Sequence, residues 1–510
     1  MPIKHESDFW DNEIQKIDGE ETQKLMDIVS KGLLSLTNEA VQCARWEPLS
    51  LERLQEFQIF SKNLQILMNE IRLRSPHLST QEKDQLILLI VNKMGSTIRE
   101  KTTIQYMQIC GFSNDKLSPD EKRNAIRMQL LHTASILVML EICALCNTKL
   151  PYHNLTHTCD IALGTVRLCL HRNPSLALFA GMCHDLRMGF EEGNPYKRIP
   201  SMILENGCER MSFERAINIL SRAEAQIRTL PKINDLFPNL MRLFETGDEK
   251  FLHDSIAKTV PKSVFEMVDG NMVFRTIEND IDAKEPGRSA VALADLGSSN
   301  RKGAFQNWLG EPPAVWAELS PFTYKPGDLV NMDRARELIE IVSKEEISEE
   351  DLKKLKSDVE CYVFFIYDQQ SFGEGRISKM QQYLENLKKE IQYLENLAND
   401  KKIFPNNDIK EELSLKLADL EAFQKEYCQE DGSIDNGGVE GIKALKAEYK
   451  TLLESDNHMA IAQDFVSRIK QRNGPELPDL EAQKKFIKDN HSGKSILYSS
   501  IEEYKKENSL

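Results

Sequence analysis

The sequence predicts an all-α protein, and three observations carry that reading. Apolar residues recur at spacings of three and four through most of the 510 positions, the period of a helix with one buried face. Helix starts are marked by Ser79-x-x-Glu82, Ser118-Pro-Asp-Glu121 and Ser348-x-x-Asp351, where a hydroxyl and a carboxylate satisfy the free amides of a first turn. Strand signals are nearly absent, and β-branched stretches such as Thr259-Val260 are short and isolated. The expected architecture is a multi-helical core with further helical regions at both ends.

Composition excludes several function classes. Forty-one per cent apolar and 28 per cent charged residues describe a globular chain, not a disordered one. Lys and Arg total 65 against 80 Asp and Glu, a net charge of -15, which is a poor footing for neutralising phosphates. No nucleic-acid partner is expected. The longest strongly apolar stretch, Ile136 to Cys146, is interrupted by Glu141 and is too short to cross a bilayer. The start, Met-Pro-Ile-Lys-His-Glu-Ser, has no apolar secretory segment, so the expected location is the cytoplasm. The ten cysteines are scattered through apolar runs, as at Cys143, Cys146, Cys169 and Cys183, and read as reduced thiols.

Along the chain, residues 1–120 hold amphipathic helices, Glu20 to Trp46 and Leu51 to Arg74 among them, without recognisable chemistry. Residues 121–400 hold the His/Asp motifs. Residues 401–510 are charged helices separated by breaks such as Glu430-Asp-Gly-Ser-Ile-Asp-Asn-Gly-Gly438. Before that last region, Met380, Leu384, Leu387, Ile391 and Leu394 alternate spacings of four and three, a seam of about two heptads. So short a seam suits a helix packed antiparallel on its own domain, or else one that binds a protein partner.

Three motifs carry chemistry. In Tyr152-His153-Asn-Leu-Thr-His157-Thr-Cys-Asp160, His153 and His157 share one helical face, and Asp160 can accept from an imidazole and orient it. From Pro174 an apolar helical run ends abruptly at His184-Asp185. An ionised carboxylate there is costly to bury and disfavoured by the helix dipole, and a bound cation answers both objections. Ser289-Ala-Val-Ala-Leu-Ala-Asp295-Leu-Gly297 repeats the logic, with Gly297 as a helix stop. Each residue alone could be a satisfied core polar group. Together, two His and two Asp form a mixed nitrogen and oxygen site suited to Zn, Mn, Mg or Fe.

The three motifs, in this order, resemble those of the HD-domain superfamily and, within it, the class I cyclic-nucleotide phosphodiesterases. The match covers roughly residues 130–380. The resemblance implies that His157, His184, Asp185 and Asp295 ligate a tightly held metal, that Asp185 bridges to a second one, and that His153 is the general acid. The sequence departs from the family in two places. Met188 stands where a His steadies water at the second metal, and Gly207-Cys208 stand where two His follow Ser201-Met-Ile-Leu-Glu205-Asn206. Glu205 is carried over as an acid supporting the ligands, and Gln370 as the candidate for gripping a nucleotide.

The expected function is metal-dependent hydrolysis of a nucleotide or nucleotide-like phosphodiester, with one or two divalent ions. Two alternatives stand beside it. One is hydrolysis of another phosphate-linked substrate, such as a dNTP or a nucleotide-derived protein modification. The other is an HD-fold binding module without catalysis. The flanking helices read as scaffold or as docking surface for a protein. The tail Glu502-Glu-Tyr-Lys-Lys-Glu-Asn-Ser-Leu510 resembles those of bacterial effectors secreted into a host cell, and equally suits a solvated terminal helix.

Overall fold

The computed structural model describes residues 3–17 and 19–41, parts of 63–90 and 127–138, Ser118, Tyr152, and residues 155–172, 174–185, 190–191, 194–198, 207–228, 246–259, 262–268, 271–278, 281–297, 311–318, 331–399 and 407–473. The order of elements is α1 (Ile3–Ile17), α2 (Glu20–Val41), α3 (Leu155–Leu168), α4 (Pro174–Cys183), β1 (Phe190–Glu191), β2 (Asn194–Arg198), α5 (Gly207–Arg228), α6 (Thr246–Ala257), β3 (Lys262–Val268), β4 (Asn271–Glu278), α7 (Pro286–Leu296), α8 (Glu311–Glu318), α9 (Asn331–Val342), α10 (Glu349–Asn399), α11 (Asn407–Tyr427), α12 (Gly437–Glu454) and α13 (His458–Asn473). The fold is all-α in its cores, with two small β-hairpins between helices.

The start signals work as their chemistry dictates. Ser348 Oγ accepts from the Asp351 amide at 3.1 Å, and the Asp351 carboxylate accepts from the Ser348 amide at 3.3 Å, opening α10. Ser79 and Glu82 exchange the same pair of bonds, at 3.4 and 2.8 Å. Each such cap is worth about 1 kcal/mol. Pro174 and Pro286 open α4 and α7, where a missing amide costs nothing. Ser118 is described, but the rest of its motif lies outside the described residues.

The hairpins are elements the sequence reading passed over. Strands β3 and β4 pair antiparallel from Lys262↔Glu278 to Val268↔Asn271, with a bulge between Val264 and Phe265. Between the paired Val268 and Asn271 the sequence reads Asp269-Gly270, one of the pairs favoured in two-residue hairpin connections, itself outside the described residues. β1 and β2 form the second, smaller pair.

Two buried cores organise the helices, and they cut across the three segments read from the sequence. The first gathers α3, α4 and α7 with residues from the N-terminal region, and also Met380, Leu384, Leu387 and Ile391 of α10 and Phe423 and Tyr427 of α11. The second gathers Trp316 of α8, α9, Leu355 to Ile366 of α10, α12 and α13. Trp316, Tyr362 and Phe465 meet edge to face in it, with ring centroids 4.9–5.4 Å apart. The heptad seam of α10 is thus turned inward, with α11 packed along the same helix. Four described cysteines, Cys169, Cys183, Cys361 and Cys428, form no disulfide.

Candidate metal centre

The centre forms where three helix ends meet. α4 is apolar all round and its described residues from Leu176 onward are buried, so it runs through the middle of the first core. A short connection after α3 turns the chain back, so that the start of α3 lies beside the end of α4. Gly181 permits the close crossing: a Cβ there would stand 2.8 Å from Ala162 Cα and 3.0 Å from Thr165 Oγ1. α7 runs antiparallel to α3. The Cys169 thiol, just past the end of α3, donates to the Gly287 carbonyl near the start of α7 at 3.6 Å. The far end of α7 then returns Asp295 to the start of α3.

His157, His184 and Asp185 offer ligand atoms all within 4.8 Å of one another, a group that could hold a metal ion. The Asp185 Oδ2 atom lies 2.8 Å from His184 Nε2 and 3.2 Å from His157 Nε2, and Asp295 Oδ1 lies 3.7 Å from His157 Nε2. Ligand bonds of about 2.1 Å meeting at tetrahedral or octahedral angles put neighbouring ligand atoms roughly 3.0–3.4 Å apart. The observed contacts bracket that spacing. His184 Nε2 is buried and makes no hydrogen bond, although Asp185 Oδ2 is in contact. The carboxylate oxygen lies off the axis of the ring nitrogen, as two ligands of one ion do.

Both imidazoles are buried, whereas the carboxylates of Asp185 and Asp295 are 16 and 26 per cent exposed. The nitrogens therefore form the floor of the centre and the oxygens its mouth. His184 Nδ1 contacts the Gly181 carbonyl at 2.6 Å. A carbonyl only accepts, so Nδ1 carries the proton and Nε2 is directed to the centre. Burial alone would depress the His184 pKa, but Asp185, then Asp295 and the Gly181 carbonyl, outweigh it and hold the group up at about 9. The pocket is built to stabilise positive charge at Nε2, which a divalent cation also supplies.

The His157 ring packs against the buried Tyr152 ring at 4.6 Å and faces the His184 ring at 5.5 Å. Tyr152 and the Gly181 carbonyl are the two supports the sequence reading assigned no role. Comparison with protein-family models, with curated proteins and with solved structures finds no match to this chain.

The other candidates fare differently. Asp160 is half-buried on α3, one turn beyond His157. His153, Glu205 and Met188 lie outside the described residues. Gln370 does not sit at a helix start but inside α10, where its amide donates to Glu374 at 3.0 Å and accepts from Lys446 of α12 at 3.3 Å. Those partners belong to the side of α10 that meets the C-terminal helices, and His157, His184 and Asp185 come together without it, with Asp295 approaching His157. Among the described residues no helix is long and apolar enough to cross a membrane.

Proposed function

We propose that the protein is a metal-dependent phosphohydrolase of the HD type, acting on a phosphoester of a nucleotide or nucleotide-like molecule. One observation carries the reading: ligand atoms of His157, His184 and Asp185 lie within 4.8 Å of one another, and Asp295 Oδ1 lies 3.7 Å from His157 Nε2. His157, His184, Asp185 and Asp295 would hold the ion, and Zn, Mn, Fe or Mg all suit two imidazoles and two carboxylates. Such an ion supplies Lewis-acid activation of a phosphoryl oxygen and a supply of nucleophilic water near neutral pH.

The chain's own residues do the rest. Nδ1 of His184 holds its proton on the Gly181 carbonyl, which fixes the ring and keeps Nε2 directed at the centre. The partly exposed carboxylates of Asp185 and Asp295 repel an anionic substrate until their charge is balanced, so metal binds before phosphate. His153, which lies outside the described residues, would be the proton donor to the leaving oxygen under this reading, a role worth about two to four powers of ten in rate.

The test is a panel of phosphomonoesters and diesters, including cyclic nucleotides and nitrophenyl esters, offered to the full chain with Mn²⁺, Zn²⁺, Mg²⁺ or Fe²⁺. The reading expects metal-dependent turnover that Asp185→Asn abolishes together with the metal-induced rise in Tm. No turnover by the parent with any ion, alongside an intact thermal response to metal, would replace the enzyme by a metal-holding binding module.

A further inference from the structure

The mouth of the metal centre includes the last turn of α7, and helix ends fray unless something outside them intervenes. Asp295 sits in that turn, two residues from the last residue of the helix backbone bond between Gly297 and Leu293. The Leu293 carbonyl accepts twice: from the Gly297 amide at 2.8 Å and from the Tyr427 hydroxyl at 3.1 Å. Tyr427 is wholly buried at the end of α11, 132 positions along the chain from Asp295.

The close fit at this point explains Gly297. Its φ is −88°, not the left-handed value that makes glycine a helix stop. What excludes a side chain is the tyrosine, because a Cβ at Gly297 would stand 2.6 Å from Tyr427 Cε1 and 2.7 Å from the Leu293 carbonyl oxygen. The glycine makes room for the ring that braces the turn.

α11 cannot slide to relax that brace. Along one face, Lys416 donates to the carbonyls of Ala283 and Lys284 before α7, at 2.6 and 2.9 Å. Asp419 takes a two-pronged bond from Arg172, and Glu426 pairs with Arg167 near the end of α3 at 3.2 Å. Both ends of α7 and the end of α3 are therefore tied to one helix, in one register.

We propose that Tyr427 is a positioning residue of the metal centre, fixing the turn of α7 that presents Asp295 to the ion. The inference rests on the metal-centre reading given above. It separates from plain stability through a readout at the ligands, since groups that support metal ligands typically cost 10–100-fold in affinity when removed.

The experiment titrates the full chain with Co²⁺, followed by its visible ligand-field absorption, and measures urea stability of each metal-free protein in parallel. Three proteins are compared: the parent, Tyr427→Phe and Tyr449→Phe. The last loses a buried hydroxyl of the second core, which donates to Asp464 at 2.5 Å, and so reports on stability loss alone. The expected result is that Tyr427→Phe binds Co²⁺ about tenfold more weakly or worse, with altered band intensities, while Tyr449→Phe titrates like the parent. A Tyr427→Phe curve superimposed on the parent overturns the proposal and leaves the metal centre standing. Equal weakening in both variants overturns it too, because the effect is then general. A parent that takes up no Co²⁺ removes the metal-centre reading, and this inference with it.

Discussion

Replacing Gly181 by Ala perturbs the helix crossing on which the centre depends. The new methyl would sit 2.8 Å from Ala162 Cα, whereas ordinary contact begins at 3.4 Å, so α3 and α4 must part by about 0.6 Å. The obstruction is backbone and cannot rotate away. Forced overpacking of this kind costs about 1–3 kcal/mol. The consequence at the centre is larger than that cost suggests, because ligand distances tolerate only about 0.2 Å of error. His157 rides on α3, while His184 and Asp185 follow α4, so the same movement spreads the ligands and disturbs the Gly181 carbonyl that orients His184. Urea melts of the metal-free protein and calorimetric titration with Zn²⁺ check both parts. The expected outcome is a lower midpoint and a Kd for metal raised about tenfold or more. A variant as stable as the parent, within about 0.5 kcal/mol, and with an unchanged Kd would refute the reasoning.

Two further outcomes follow from buried charges outside the centre. Glu426→Ala takes from the buried Arg167 the carboxylate it meets at 3.2 Å, and a broken buried pair costs about 3–5 kcal/mol; a loss under about 1 kcal/mol in denaturant melts contradicts it. Asp358 of α10 is buried beside Arg334 and Glu337 of α9. Burial pushes its pKa up to about 7, Arg334 opposing and Glu337 adding to the rise. The folded chain thus prefers the protonated carboxyl, whose contribution is complete below about pH 4 and is lost as pH rises through about 7. Urea midpoints should fall from pH 5 to pH 8 in the parent and fall less in Asp358→Asn. Parallel pH profiles for the two proteins would sink this assignment.

How much the sequence revealed depended on distance along the chain. His184-Asp185 and Asp295 stood out because each ends an apolar helical run, where a charge needs a local reason. That local logic survives in the structure, which brings both to His157. Gly297 was equally visible but for the wrong physics. Its cause is Tyr427, and no nearby residue signals a ring arriving from another helix. Residues 401–510 read as charged helices, and on one face of α11 some of that charge is turned inward. Lys416, Asp419 and Glu426 are buried there because Arg167, Arg172 and two backbone carbonyls receive them. Composition counts charges but cannot pair them. The β3–β4 hairpin was legible in Asp269-Gly270 between two apolar runs, and was masked by the helical period on either side of it.

α10 is 51 residues long, roughly 76 Å at 1.5 Å per residue, and its two halves are buried in different cores. Leu355 to Ile366 belong to the C-terminal cluster and Met380 to Ile391 to the one that carries the metal centre. A helix gains its stability by propagation, and breaking it in the middle requires a fresh, costly nucleus on each side. Neither core can melt alone without exposing half of a helix that the other still holds. The rod therefore acts as a shared axle that couples the two cores in unfolding, so that they are expected to melt as one.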